Sequence, residues 1–318
     1  MIAHSLNVDE TVRRQPNAAF ARELARFGPD APSSPAPGFA EASAYCRQLA
    51  QAHYENFTVA SWLLPRALRP HFHHIYAYCR WADDLADETC SSDESILLLN
   101  WWEQQLDACF AATAHHPVFV ALTPTIQEFA IPKGPFADLL KAFRQDQWVG
   151  EYHSFPQLLE YCQHSANPVG RLVLHLGRCH DAERGALSDS ICTGLQLANF
   201  WQDVARDCAQ GRFYLPRDDR ERFGYTDDAY RGRQCNPAFA KLMEFEVSRA
   251  EQFLRAGFPL LDLVPRWLRM DVSLFIRGGL AILAAIREER YNVWQCRPTL
   301  SKWRTARLFL DAAFNTKV

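Results

Sequence analysis

The stretch whose reading decides the architecture is YAYCRWADDLADE, Tyr76 to Glu88. Tyr76, Arg80, Asp83, Asp84 and Asp87 recur every three or four residues. At about 100° per residue they share one stripe of a helix. Ala77, Cys79, Trp81, Leu85 and Ala86 point elsewhere. Carboxylates on one stripe repel one another, so the stripe is stable when solvated or when it holds cations. Aspartates one turn apart can share a hard divalent ion, and Mg²⁺ is commonly held by one or two carboxylates together with phosphate oxygens. Taken alone, the stripe reads more simply as a solvated acidic face.

A second stretch shifts that balance. QLANFWQDVARDCAQGRFYLP, Gln196 to Pro216, places Gln196, Asn199, Asp203 and Asp207 on another stripe. Leu195, Leu197, Phe200, Trp201 and Val204 cover much of the remaining surface, so this helix is expected to be buried. Buried carboxylates are costly unless paired or bound to a metal. Two such stripes on facing helices would cage Mg²⁺ and a diphosphate.

With a third block, YCQHSANPVGRL (Tyr161 to Leu172), these stretches resemble the squalene/phytoene synthase family of head-to-head isoprenoid enzymes. The blocks lie in the family's order and spacing, and the resemblance spans roughly residues 45 to 310. DDLADE, SANPVGR and YENFTVASWLLP (Tyr54 to Pro65) resemble the bacterial hydroxysqualene synthases of squalene and hopanoid pathways. The resemblance implies an all-α isoprenoid synthase bundle around a central cavity. It implies Mg²⁺ as cofactor and conversion of presqualene diphosphate and water to hydroxysqualene and diphosphate, a carbon–oxygen lyase reaction. The alternative within the family is a prenyltransferase that condenses two farnesyl or geranylgeranyl diphosphates.

Cleavage of such a diphosphate leaves a carbocation and a highly charged leaving group, which metal ions and arginines stabilise. Asp83, Asp87, Asp203 and Asp207 are the expected metal ligands, with Asp84 and Asn199 as further candidates. Arg80 and Arg212 are placed to reach phosphate, although Arg80 can also pair with Asp84 on its own helix. Arg171 and Gln196 complete the diphosphate candidates. Aromatic faces attract cations, and Tyr76, Tyr161, Phe57, Phe200 and Tyr214 are candidates for the cavity wall. The resemblance adds His53 near the substrate and implies cavity positions for Phe57, Tyr76 and Tyr161. Most of the 21 Phe, 10 Tyr and 9 Trp must nonetheless be plain core. Asn167, before Pro168, is either a turn former or the holder of an attacking water. Relatives that condense two substrates often carry serines near Tyr54 and Asn56, which favours a one-substrate reaction here.

The 318 residues are 48% apolar, with a net charge of −3. That balance supports a sizeable core and excludes a broad basic surface for nucleic acid. The ten cysteines form no CxxC pair and read as reduced thiols of a cytoplasmic protein. No apolar run approaches the ~20 residues of a membrane span. Residues 1–40, containing GPDAPSSPAPGF, are expected to form an irregular arm, and 41–318 a single helical domain. Expected helices include 118–130, 135–149, 156–164, 168–180, 189–208, 237–256, 266–290 and 300–314, with a polar loop at 216–237. The cluster His71, His73, His74 reads as a turn rather than a metal site. Lys302, Arg304 and Arg307 beside Trp303, Leu308 and Phe309 read as a basic helix end on the core or as a peripheral membrane contact. Hand-over of product to other squalene-pathway enzymes is the alternative to that membrane contact.

Overall fold

The computed structural model describes residues 18–32, 35–52 and 64–301. Among the described residues the fold is all-α, and the one strand-like contact is a parallel bridge between Glu151 and Phe213. The helices are α1 (Ala18–Phe27), α2 (Phe39–Ala52), α3 (Arg69–Asp87), α4 (Ser92–Phe110), α5 (Pro117–Phe129), α6 (Gly134–Gln145), α7 (Phe155–Ser165), α8 (Asn167–Leu176), α9 (Ala182–Ala209), α10 (Arg217–Arg222), α11 (Asp227–Arg231), α12 (Pro237–Ala256), α13 (Leu260–Leu263) and α14 (Arg266–Glu288). No described helix is long and apolar enough to cross a membrane.

Local signals set these boundaries. Ser91 caps α4 by accepting from the Glu94 N–H at 3.2 Å, and Glu94 accepts from the Cys90 N–H at 2.9 Å. Ser154 caps α7, Asn236 caps α12, and Pro156 and Pro237 fill first-turn positions where no N–H is needed. Three expectations need correction. The N-terminal arm is not irregular throughout, because AAFARELARF lacks Gly and Pro and forms α1, with the breakers following it. The helix expected from residue 189 begins at Ala182, where Asp181 accepts from the Arg184 N–H at 2.8 Å and starts it early. The loop expected at 216–237 contains α10 and α11, each with two aspartates in its first turn, which suits the positive end of a helix. Leu300 and Ser301 are not helical, and the rest of the expected last helix lies outside the described residues, as do His53, Tyr54, Asn56 and Phe57.

The buried side chains form two clusters. One joins α2 through α6 and contains the stacked Trp81 and Trp102, their centroids 5.3 Å apart. The other gathers around α9, α12 and α14 and contains Trp201 and Phe239. Helix α8 lies between them. Leu172 and Leu176 join the first cluster, Leu174 joins the second, and Val173 touches both, as does Trp267 of α14.

The break before α8 falls at Ala166, and Asn167 opens the new helix. Three residues on, Gly170 lets α9 come close: a Cβ there would lie 2.3 Å from Ser188 Oγ and 2.6 Å from Cys192 Sγ. The group that comes close at this glycine is therefore a neighbouring helix. Gly170→Ala should cost about 1–3 kcal/mol of unfolding free energy by overpacking. Gly134→Ala, where the new Cβ meets nothing within 4 Å, should stay within about 0.5 kcal/mol of wild type in the same urea titration. Equal stability of the two variants would show that the α8–α9 contact yields without cost.

Candidate functional site

The two acidic stripes occupy the last turns of their helices. Asp83 and Asp87 end α3, and Asp203 and Asp207 precede the end of α9 at Ala209. A helix C-terminus is the negative end of the macrodipole, so carboxylates there are disfavoured and cations favoured. A third helix end joins them in the same way. Asp146 is the C-cap residue of α6 and accepts from the Tyr161 hydroxyl at 3.0 Å.

Mutual electrostatic influence ties these groups into one site. Burial pushes the Asp83 carboxyl up to about 6, with Asp87 adding repulsion and Arg80 and Arg212 opposing it. Burial pushes Asp146 up to about 7, against Arg212 and the Tyr161 hydroxyl, while Asp87 and Asp83 add to the rise. Burial also pushes Asp207 up to about 7, reinforced by Asp203 and opposed by Arg212. Arg212 is thus the cation common to all three helix ends. It donates to Asp87 at 2.8 Å. Burial acts to lower its pKa, but Asp87, Tyr214 and Asp146 outweigh that and raise it.

Other arginines hold the remaining carboxylates. Arg297 donates through Nε and Nη2 to Asp203, the latter at 3.0 Å. Arg80 forms a two-pronged pair with Asp84 and lies 3.2 Å from Asp83. Beneath the charged groups, Phe200 and Tyr214 stack at 3.8 Å, with Tyr161 6.1 Å and Tyr152 5.7 Å from Tyr214. Tyr76 is also buried, one turn before Arg80 on α3. The site therefore combines a carboxylate and arginine rim with an aromatic wall, which suits a charged leaving group attached to a hydrocarbon.

The family model for squalene/phytoene synthases matches residues 50–304. The chain belongs to the squalene/phytoene synthase family. The solved squalene synthase HpnC from Alicyclobacillus acidocaldarius is similar to it at a TM-score of 0.78 and 44% identity, covering 80% of this chain and 96% of that one. A dehydrosqualene synthase solved with a ligand gives 0.77 at 25% identity, over 86% and 96% of the two chains. The 15-cis-phytoene synthase of Synechocystis sp. is 29% identical over 298 residues, 89% of this chain and 87% of its own length. Membership in this family makes the protein an enzyme acting on isoprenoid diphosphates.

The sequence candidates are distributed unevenly around these helix ends. Asp83, Asp87, Asp207, Arg212 and Tyr214 share one electrostatic neighbourhood. Gln196 and Asn199 lie on α9 before Asp203, the first half-buried and the second exposed. Asn167 is buried, and its side-chain oxygen accepts from Thr193 Oγ1 at 3.0 Å, tying α8 to α9. Arg171 pairs with Asp189 at 3.0 and 2.5 Å, and its electrostatic neighbours are Asp189, Asp138 and Cys192 rather than the acidic stripes. His71 and His74 share the Thr125 hydroxyl, at 2.9 and 2.8 Å. Asp146 and Arg297 were not among the candidates. Neither belongs to a stripe, and only the packing of distant segments brings them to the site.

The raised carboxyls give the ligand-free protein a defined pH response. Groups that bind protons more tightly folded than unfolded stabilise the fold as pH falls. Stability should therefore rise from about pH 8 toward about pH 5 and level off below the unfolded carboxyl range. Buried Glu246 and Asp271 act in the same direction, so the site's share is the difference between proteins. Asp83→Asn/Asp207→Asn should melt higher than wild type at pH 8 and show a flatter dependence by scanning fluorimetry. Identical pH profiles would remove these carboxylates as a source of the slope.

Proposed function

We propose that this enzyme ionises presqualene diphosphate and captures the rearranged cation with water, giving hydroxysqualene and diphosphate. The observation that carries the reading is the convergence of carboxylates from three helix ends on Arg212, above an aromatic wall. The 44% identity to a solved squalene synthase and the DDLADE and SANPVGR blocks support the squalene-type chemistry. Relatives named phytoene synthase and dehydrosqualene synthase support the second reading, a head-to-head condensation of two prenyl diphosphates.

Among the described residues no three ligands form a ready-made metal cage, and arginines engage the carboxylates instead. The donor set nevertheless fits a hard divalent ion. It consists of oxygens at negative helix ends, with Asp83 and Asp207 already favouring neutralisation. Asp83, Asp87, Asp203 and Asp207, with Asn199, would hold Mg²⁺, which supplies Lewis-acid stabilisation of the leaving diphosphate. Arg212, Arg297 and Arg80 bind and orient the diphosphate oxygens. As the carbon–oxygen bond breaks, its electron pair leaves with diphosphate and the positive charge stays on the hydrocarbon. Tyr76, Tyr161, Phe200 and Tyr214 present π faces to that charge. Capture needs one water, whose oxygen forms the new bond and whose proton passes to a basic oxygen nearby. Asn167 is the candidate to hold that water.

Purified enzyme given presqualene diphosphate in H₂¹⁸O should release an alcohol carrying the label, and added NADPH should not divert it to squalene. Asp83→Asn and Asp203→Asn should each lower turnover by about 10²-fold or more while circular dichroism is unchanged. Asn167→Val should move product from alcohol toward diene. An unlabelled alcohol, or product formed only from two prenyl diphosphates, would overturn the assignment. An unchanged product ratio in Asn167→Val would withdraw only that residue's role.

A further inference from the structure

Arg212 and Tyr214 are not on a helix. They lie in the segment between α9 and α10, and something outside that segment must fix their position. The neighbouring chain does so along a short seam. The Phe213 N–H donates to the Gly150 carbonyl at 2.6 Å, the Arg217 N–H to Tyr152 at 3.0 Å, and the Asp218 N–H to His153 at 3.0 Å. The parallel bridge of Glu151 with Phe213 lies in the same seam. One side of the seam therefore carries Arg212 and Tyr214, and the other connects Asp146 to Tyr161.

A buried cation closes this seam. Arg220, only 1% exposed, donates to Glu151 and to Asp227 through its two Nη atoms and to the Leu215 carbonyl through Nε at 3.3 Å. Its guanidinium lies 4.7 Å from the Tyr230 ring centroid, and Tyr230 packs edge-on against Phe213 at 5.4 Å. Glu151 is also held by Arg217 at 2.9 Å. Burying a guanidinium has a large desolvation cost, and apolar side chains could fill the same space at least as well for stability alone. What apolar packing would not supply is direction. The planar fork fixes Glu151, Asp227 and the Leu215 carbonyl relative to one another.

We propose that Arg220 is a positioning residue for diphosphate binding. By clamping Glu151 on one side of the seam to Leu215 and Asp227 on the other, it sets Arg212 against the acidic helix ends and Tyr214 against Phe200. Arg220 itself does not touch the substrate. The inference rests on the diphosphate role proposed above for Arg212.

The test is a double-mutant cycle on the full chain, read as the affinity for inorganic diphosphate in magnesium chloride by calorimetry, with titrations carried into the millimolar range. Arg220→Met should weaken binding about tenfold, the equivalent of losing one hydrogen bond to a charged group. Arg220→Lys should recover part of that loss. In an Arg212→Ala background the same Arg220→Met change should cost less than about twofold, because the group it positions is gone. A general loss of structure would instead weaken both backgrounds equally. Equal losses in the two backgrounds, or no loss in the wild-type background, would overturn the proposal. Should Arg220→Met fail to fold by circular dichroism, Glu151→Gln takes its place in the cycle with the same two outcomes. A wild type that binds no diphosphate would instead overturn the functional reading, and this inference with it.

Discussion

The site depends on one electrostatic constraint: carboxylates gathered where helix dipoles already place negative charge. Asp83 and Asp87 at the end of α3, Asp146 at the end of α6, and Asp203 and Asp207 at the end of α9 all face this problem. Such an arrangement is unfavourable unless cations share it. Arg212 answers for three of the helix ends and Arg297 for Asp203. The carboxyls of Asp83, Asp146 and Asp207 remain shifted toward the neutral form even so. A region that still favours added positive charge is a natural receptor for metal and diphosphate together, since the anion arrives with its own counter-cations.

The hydrophobic architecture brings these helix ends together. Two buried clusters meet along α8 and Trp267, so α3 and α9 belong to different clusters yet end at a common place. The close approach at Gly170 fixes α8 against α9, and the Asn167–Thr193 hydrogen bond adds direction to that contact. Aromatic residues of the second cluster, Phe200, Tyr161, Tyr152 and Tyr214, then form the floor beneath the charged rim. A hydrocarbon chain and a diphosphate need these two environments side by side.

Arginine chemistry shows how context assigns a role. Arg171 and Arg212 are the same residue type, and both follow a glycine. Arg171 finds Asp189 on the next helix and forms a local two-pronged pair. Arg212 finds a group of carboxylates that no single cation can neutralise, so the group as a whole still favours added positive charge. Arg220 is enclosed completely and faces Glu151 and Asp227. Spacing along the chain distinguishes none of these three cases.

The sequence by itself determined the helical class, the two acidic stripes and the family, because helical periodicity is local and the motifs lie within single helices. Positions such as Asp83, Asp87, Asp203 and Asp207 were legible for that reason. It also gave most helix limits, failing at α1, which lacks Gly and Pro within a breaker-rich arm, at the start of α9, which Asp181 caps early, and at α10 and α11, whose first-turn aspartates suit a helix start within a loop-like composition. Only the tertiary structure decided that Asp146 and Arg297 reach the same site, that Arg171 is engaged by Asp189, and that Arg220 closes the seam beside Arg212. The physical reason is range. A stripe is set by bonds a few residues long, whereas the partner of a charge is whatever the packed core brings within a few ångströms, and that core is assembled from the whole chain.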